Sequence, residues 1–521
     1  MATIRRLLFL LSIACSLAAQ TAAPDLRIAH SFPPARLNPG QRGTVTPYVI
    51  NYGTALATNV RLTIETRGGG EIVAVESRSP ETVCELVPPG AVCRLASLPH
   101  LFAGRSLSAV VTVEAPRRST GEPFVLHYEV MADEADLSPA DNAFEYAVAV
   151  PRVLTVTSDA DSGSGTLRQA LLDAQTLCAA AACRIEFERA MTVRPLAPLP
   201  RMQGVLTLDG ASRVELDGSL QGEGPGLVIG SGCEVRVVNL TIGNFPGHGL
   251  EFRRPAANCP ADSWVSPETY VANSTFRGNL RGIYVESLGP LGIRQNVIEG
   301  NRRSGIYVWD APFVAIAANR IEDNGNSGIY IDADADIISN VITGHPEWGI
   351  ARVGGDIDMR SNSIFGNGYL PIDYRLDFET PNADDDRMRP PNAPRLLAAT
   401  YDAAANATVV RGEVTVRPLS RSYYPLQLEL FASDGVGRFG FAEAQTSVLR
   451  TELAYGGAVR EFTLSVPGDL TGKYISATNT RTYVTGLARS APAPLRPSPH
   501  SHGVAVPGDT SELSNPVQVT R

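Results

Sequence analysis

Between Ser274 and Asn367 the apolar and polar positions recur in a fixed order that is neither a simple alternation nor a helical stripe. One polar position returns as Ser274, Asn296, Asn319, Asn340 and Asn362, in steps of 22, 23, 21 and 22 residues. A second holds Asn279, Asn301, Asn324, His345 and Asn367, and a glycine returns as Gly282, Gly305, Gly328 and Gly349. Apolar residues keep pace, with Phe276, Ile298, Ile321, Ile342 and Ile364 in one column and Ile283, Ile306, Ile329 and Ile350 in another. A weaker copy, NLTIGNFPGHGLEF, precedes them. A repeat of this length signals a solenoid, and no helix-length apolar stripe fits inside it. Three short strands and three turns per coil are predicted, with coils about 4.8 Å apart so that like stacks on like. Asparagine at a tight corner is expected in the left-handed region, its amide bonded to the asparagines above and below. Glycine supplies a corner that has no Cβ.

The flanks read differently. From residue 23 to 150, runs such as GTVTPYVINYG, NVRLTIET, LSAVVTVEA and PFVLHYEVMA alternate apolar and polar between Gly, Pro and Asn turns. That pattern predicts a β-sandwich of about seven strands. The solenoid region is placed at 151–389. It opens with a strand, VLTVTS, and a helix that Thr166 caps, with Leu167, Ala170, Leu171 and Ala174 on its apolar face. From residue 390 to 521 TVVRGEVTV, LQLELFAS, VREFTLSV and YISATNT predict a second β-sandwich. The fold class is therefore all-β.

VINYGTALATNVRLTIE and the closing DEADLSPADNAFEYAVAV resemble the Ig-like repeat domains of bacterial surface proteins, which serve as spacers or adhesive units. The strand–DSGSGTLRQA–strand opening resembles the N-terminal cap of bacterial parallel β-helix proteins. A cap covers a first coil whose raw edge would otherwise pair with other chains. The repeats themselves resemble the right-handed parallel β-helix superfamily, which includes pectate lyases, polygalacturonases and non-enzymatic surface proteins. The C-terminal pattern resembles the β-sandwich that often follows such helices.

The start, MATIRRLLFLLSIACSLAAQTAAPDL, reads as a signal peptide over residues 1–22, with Arg5 and Arg6 before the apolar run. Lipidation at Cys15 is the alternative. The apolar run is too short to span a bilayer, so the mature chain is expected to be secreted or at the cell surface without a transmembrane segment. Removing Cys15 leaves six cysteines at local spacing, Cys84 and Cys93, Cys178 and Cys183, Cys233 and Cys259, which favour disulfides in a secreted chain. Sequence neighbours are taken as partners. The formal charge of −9 and the lack of a basic stripe argue against nucleic acid. The cations are almost all arginine, with the single lysine Lys473 outside the repeats.

Two groups of residues carry candidate chemistry. Tyr284, Tyr307 and Tyr330 follow the repeat glycine on the outward face, with Glu286, Trp309 and Asp332 two residues on. Aromatic rings beside carboxylates suit sugar binding, although stacked tyrosines also simply brace a sheet. Asp334 over Asp356 and Asp336 over Asp358 stack four carboxylates at coil spacing, which could recruit calcium. The loop Asp384, Asp385 and Asp386 is a lesser calcium candidate. Gly247-His248-Gly249 resembles a polygalacturonase motif, but the paired aspartates and the basic motif of those enzymes are missing, and Gly249 is already a repeat glycine. The reading that follows is a carbohydrate- or surface-binding, adhesive scaffold without strong catalysis. The alternative is a polysaccharide lyase or glycoside hydrolase working in a groove along the helix. Arg281, Arg302, Arg303 and Arg352 keep an arginine-based lyase open, and the insertion Arg253 to Tyr270 is the loop expected to border such a groove.

Overall fold

A computed structural model of the chain describes residues 22–31, 33–100, 105–178, 182–230, 234–253, 269–286, 290–378, 382, 391–415, 425–454, 459–484 and 505–521. The signal segment, Cys233, Cys259, most of the Arg253–Tyr270 insertion and Asp384 to Asp386 lie outside the described residues. Two compact units are present, Met1–Arg152 and Val153–Arg521.

The first unit has two antiparallel sheets. Strands Leu26–Ser31, Arg42–Asn51, Leu107–Glu114 and Glu71–Ser77 form one, and Thr82–Val87, Gly90–Leu98, Ala57–Arg67, Phe124–Met131 and Ala143–Val148 the other. Val45, Val49, Leu62, Ile64, Val111 and Leu126 are fully buried, as alternation along these strands requires. The strand number exceeds the expected seven because Glu71–Ser77 and the hairpin Thr82–Val87/Gly90–Leu98 add to the alternating runs. Cys84 and Cys93 face each other across that hairpin and are bonded, with Cα atoms 4.1 Å apart.

The second unit is a parallel solenoid. Its strands run in parallel register from Arg152–Val156 to Ile372–Tyr374. The cap helix spans Leu167–Leu177, its N-terminus closed by Thr166 Oγ1 accepting from the Gln169 amide at 3.2 Å. Leu167, Ala170, Leu171 and Ala174 are buried, and Cys178 is bonded to Cys183 just beyond the helix. Each regular coil contributes a three-residue strand such as Val297–Glu299, a turn, and then strands on the other two faces. Phe276, Ile298, Ile321 and Ile342 pair in register and are fully buried, as are Ile283, Ile306, Ile329 and Ile350.

The polar ladders lie inside. Asn296 Nδ2 donates to Asn319 Oδ1 at 3.0 Å, Asn319 to Asn340 at 3.0 Å, and Asn340 to Asn362 at 3.0 Å. In the second ladder Asn279 donates to Asn301 at 3.1 Å and Asn301 to Asn324 at 2.8 Å. His345 continues it, its Nδ1 accepting from the Asn324 amide at 3.1 Å and its Nε2 donating to the Ile321 carbonyl at 3.1 Å. One expectation is corrected here. The ladder residues themselves do not take the left-handed conformation; the residue before each one does, at Asn273, Gln295, Ala318, Ser339 and Ser361, and at Gly278, Gly300, Asp323, Gly344 and Gly366. The left-handed residue reverses the chain and turns the next side chain inward, so the ladder residue is free to be chosen for its amide. The repeat glycine is needed for close approach: a Cβ on Gly305 would lie 2.8 Å from Asn324 Nδ2 and 2.9 Å from the Gly328 carbonyl oxygen.

The C-terminal sheets cover the far end of the solenoid. One contains Arg395–Asp402, Ala407–Thr415 and Val459–Pro467; the other contains Thr446–Leu453, Leu426–Ser433, Tyr474–Val484 and Ala505–Thr510, with Val517–Gln518. Ile364 exchanges both backbone hydrogen bonds with Ala444, at 2.7 and 2.9 Å. Carboxylates of the sandwich accept further amides of the last coils: Glu429 from Ser361, Glu443 from Gly366 and Glu512 from Tyr374. Thus both open ends of the stack are closed, one by a helix and one by a sandwich.

Candidate functional site

The face that follows the repeat glycine carries one outward column, Glu251, Tyr284, Tyr307, Tyr330, Ala351 and Asp373, each in register with the next. The tyrosine rings stack on one another, with centroids 5.6 Å (Tyr284–Tyr307) and 4.5 Å (Tyr307–Tyr330) apart and nearly parallel planes. His248 extends the stack, 4.7 Å from Tyr284 and tilted by 9°. Tyr284 and Tyr307 thus have rings on both faces and present edges and hydroxyls outward, while Tyr330 ends the stack with a ring on one face. Trp309 and Asp332 pair in register two residues on, and Trp309 is 44 % exposed, so the indole is the accessible flat ring of this group.

At the head of the column is an open cleft of ≈ 550 Å³, lined by His248, Glu251, Arg253, Arg281, Tyr284, Glu286 and Tyr307. Glu251 is buried and its Oε1 accepts from Arg253 Nε at 2.7 Å, leaving most of the Arg253 side chain exposed. Arg281 sits with its guanidinium 4.3 Å from the centre of the Tyr307 ring. Burial, reinforced by the charges of Arg281, Arg253 and Arg303, pushes the His248 imidazole down to about 4, so it is neutral at physiological pH. Its Nδ1 is buried and meets no hydrogen-bond partner among the described residues. Burial, with the nearby Glu286 charge, raises the Tyr284 phenol above its ordinary value, so it keeps its proton. A neutral imidazole, a protonated phenol and two guanidinium groups thus face one space.

Sequence reading weighed His248 and discounted it, kept Arg281 only among the arginines of a lyase alternative and Arg253 only as the start of a bordering loop, and did not bring them together with Glu251 as one site. The signal was present: Gly249 occupies the repeat-glycine position, so Glu251 stands where Tyr284 stands after Gly282. The insertion after Arg253 breaks the period and hides that alignment.

Of the four aspartates of the acidic set, Asp336 lies beside Asp358 in register. Asp334 Oδ1 accepts from the Asp356 amide at 2.7 Å, and Asp358 is buried and paired with Arg360 at 2.9 Å. A different group brings its oxygens closest together among the described residues: one oxygen each from Asp25, Asp136 and Asp141, all within 4.8 Å of one another. That group could hold a metal ion. Arg27 already contacts two of its members, Asp25 at 3.1 Å and Asp141 at 3.2 Å.

Residues 207–367 match the family described as Right handed beta helix region. No sequence among curated proteins matches the chain. Solved structures similar to the chain include the following three. The catalytic unit of a thermostable GH87 alpha-1,3-glucanase from Streptomyces thermodiastaticus is 14 % identical over 67 % of this chain and 93 % of its own, with a TM-score of 0.24. The tailspike protein gp49 of Acinetobacter baumannii bacteriophage Fri1, a capsular polysaccharide depolymerase, is 10 % identical over 65 % and 87 %, with a TM-score of 0.23. AvmM, which catalyses macrocyclization in alchivemycin A biosynthesis, is 12 % identical over 24 % and 88 %, with a TM-score of 0.17. The central unit is a right-handed parallel β-helix, and no helix among the described residues is long and apolar enough to cross a membrane.

Proposed function

We propose that the chain is a secreted or surface-borne protein that engages a polysaccharide along its β-helix, and that the cleft at His248 cleaves it. The observation that carries the catalytic reading is the convergence of neutral His248, protonated Tyr284, Arg253 and Arg281 on one open cleft. These are the groups that β-elimination from a uronic acid residue needs. Arg281 and Arg253 neutralise the uronate carboxylate, which acidifies the adjacent C5 proton. His248 takes that proton, the C4–O4 bond breaks as the C4–C5 double bond forms, and Tyr284 gives its proton to the departing O4. Glu251 acts as a positioning residue that holds Arg253. Hydrolysis, by contrast, needs two carboxyls free to act as acid and base or nucleophile, and Glu251 is committed to Arg253. Adhesion without turnover uses the same face through Trp309, Glu286 and Asp332.

The disulfides Cys84–Cys93 and Cys178–Cys183 support an oxidising location outside the cytoplasm, and the N-terminal sandwich serves as a spacer. Calcium is the hard cation that carboxylate oxygens suit. Binding at Asp25, Asp136 and Asp141, or at Asp334, Asp336, Asp356 and Asp358, would raise the melting temperature in millimolar calcium. Asp136→Asn and the double change Asp336→Asn/Asp358→Asn separate the two places.

The function is tested by incubating the purified chain with alginate, polygalacturonate and a neutral β-glucan. Unsaturated ends are read by ultraviolet absorbance and reducing ends by a colour assay. The proposal expects unsaturated ends from a uronate polymer, lost in Arg281→Ala and strongly reduced in Tyr284→Phe. Reducing ends without unsaturation would assign hydrolysis, and binding with no product would leave the adhesive reading.

A further inference from the structure

The corner between the ladder residue and the repeat glycine holds three residues in the regular coils, at 302–304 and 325–327, and also in the coil of His248, at 246–248. The coil after His248 holds only two there, Leu280 and Arg281. The hydrogen bonds between corners shift with this shortening. In the regular coils the ladder residue's carbonyl accepts from the amide just past the next ladder residue. Asn279 accepts so from Arg302 and Asn301 from Gly325, each at 2.8 Å, and His345 from Gly368 at 2.7 Å. Phe245 holds the ladder position in the His248 coil, its amide donating to Asn279 Oδ1 at 3.0 Å. The amide that would serve the Phe245 carbonyl is that of Leu280, but it bonds two residues further on, to the Gly247 carbonyl at 2.8 Å. The carbonyls of Phe245 and Pro246 therefore meet no backbone donor among the described residues. Arg302 serves both from two coils away, its Nη2 donating to Phe245 at 2.8 Å and to Pro246 at 2.9 Å.

We propose that Arg302 is a positioning residue for the cleft, holding the turn that presents His248 through the two carbonyls that the short corner leaves unserved. The inference rests on the reading of the cleft given above and deepens it. Arg302 is not among the residues that line the cleft, so it acts on the chemistry only through the turn. The start of that turn has few other ties. Pro246 has no N–H to give, and Phe245 is fully buried, so its carbonyl needs a donor from within the protein. The remaining backbone bonds lie further on, from the Gly247 amide to Gly224 and from the Gly249 amide to Arg281, both at 2.9 Å. Arg302 thus fixes the entry to the turn, as those bonds fix its exit. Together they hold the His248 ring against Tyr284, at 4.7 Å between centroids. A general base has to stay within hydrogen-bond reach of the proton it takes, and a misplacement of about 1 Å costs on the order of 100-fold in rate. The same short corner puts Arg281 directly before its repeat glycine, the place that His248 takes one coil earlier. One missing residue therefore brings Arg281 to the cleft and creates the need for Arg302.

The test compares Arg302→Met and Arg302→Lys with the wild-type full chain in two measurements. One is steady-state release of unsaturated ends from alginate or polygalacturonate. The other is NMR titration of the His248 imidazole, assigned as the signal missing from His248→Ala. Arg302→Met is expected to fold, to lower kcat about tenfold or more with KM little changed, and to move the His248 titration from about 4 toward 6.5 as the ring leaves its buried stack. Arg302→Lys keeps donors and charge at similar reach and is expected to recover much of both. Loss of a positive charge also raises a nearby imidazole by itself. Arg303→Met is the control for that effect, since the Arg303 charge acts on His248, and it is expected to move the titration less than Arg302→Met does. An unchanged titration in Arg302→Met, or a change no larger than in Arg303→Met, overturns the inference whatever the rates. A larger change with no product from the wild type sustains the positioning of His248 by Arg302 and removes only the catalytic reading of the cleft.

Discussion

Asn301 shows what a single ladder residue does. Its Oδ1 accepts from the Asn279 amide and side chain, and its Nδ2 donates to the Phe276 carbonyl and to Asn324. All of this happens away from bulk solvent, with Asn301 1 % exposed. Asn301→Leu strands several buried donors and acceptors at once, each costing roughly 1–3 kcal/mol. A loss of at least about 3 kcal/mol in the stability of the helix unit is expected from chemical denaturation, and an unchanged midpoint would contradict the inward placement. The sequence showed where these asparagines recur and that they stack. It did not show which residue of the corner is left-handed, because Gln295, Ala318 and Ser339 are not the residues that conformation ordinarily selects. Their strain is carried by the stack, and only the backbone reveals it.

At the level of the element, the second ladder contains one substitution, His345, in a line of asparagines. Burial pushes its imidazole down to about 4 from an ordinary 6.5, and the Asn324 amide needs its Nδ1 as an acceptor. The unfolded chain therefore takes up a proton at a pH where the folded chain does not. Stability present at neutral pH is lost as pH falls from about 6.5 to about 4, by on the order of 3 kcal/mol from this group, and no further below that. His345→Asn should restore a continuous amide ladder and lessen the pH dependence of melting across that window, the remainder coming from His248, which burial depresses to the same value; an identical slope would place the acid sensitivity elsewhere. The coil period, the core columns and the capping helix were legible because stacking forces like residues to recur. The cleft was not, because it forms where the recurrence lapses: Glu251 and His248 replace repeat residues in the weakest copy. The stacked ring faces were hidden for another reason, since periodicity puts Tyr284, Tyr307 and Tyr330 on one face but says nothing about ring orientation.

Across the second unit as a whole, the solenoid and the C-terminal sandwich are joined by a buried charge. Arg352, 1 % exposed, donates to Asp509 at 2.6 Å, to the Thr510 carbonyl at 3.0 Å and to the Gly355 carbonyl at 2.6 Å. Removing one member leaves the other charge buried, which typically costs 3–5 kcal/mol, whereas replacing both with apolar residues is often neutral. Asp509 also pairs with the buried Arg481 at 3.6 Å, so Arg352→Met should destabilise the unit by about 3 kcal/mol, and Arg352→Met/Asp509→Leu/Arg481→Met, which strands no charge, should recover much of it. Equal losses in the single and triple variants would show that this charge cluster is not what joins them.

The account turns on whether the cleft performs chemistry, and His248 is the group that decides it. The direct measurement is kcat/KM for release of unsaturated ends from the preferred uronate polymer, wild type against His248→Ala, with melting temperatures matched. Loss of a general base predicts a fall of about 100-fold or more, and a wild-type rate that holds from about pH 8 down to about pH 5 before falling as the imidazole protonates near 4. A His248→Ala rate within a few-fold of wild type, or an acid limb centred near 6.5, would contradict it.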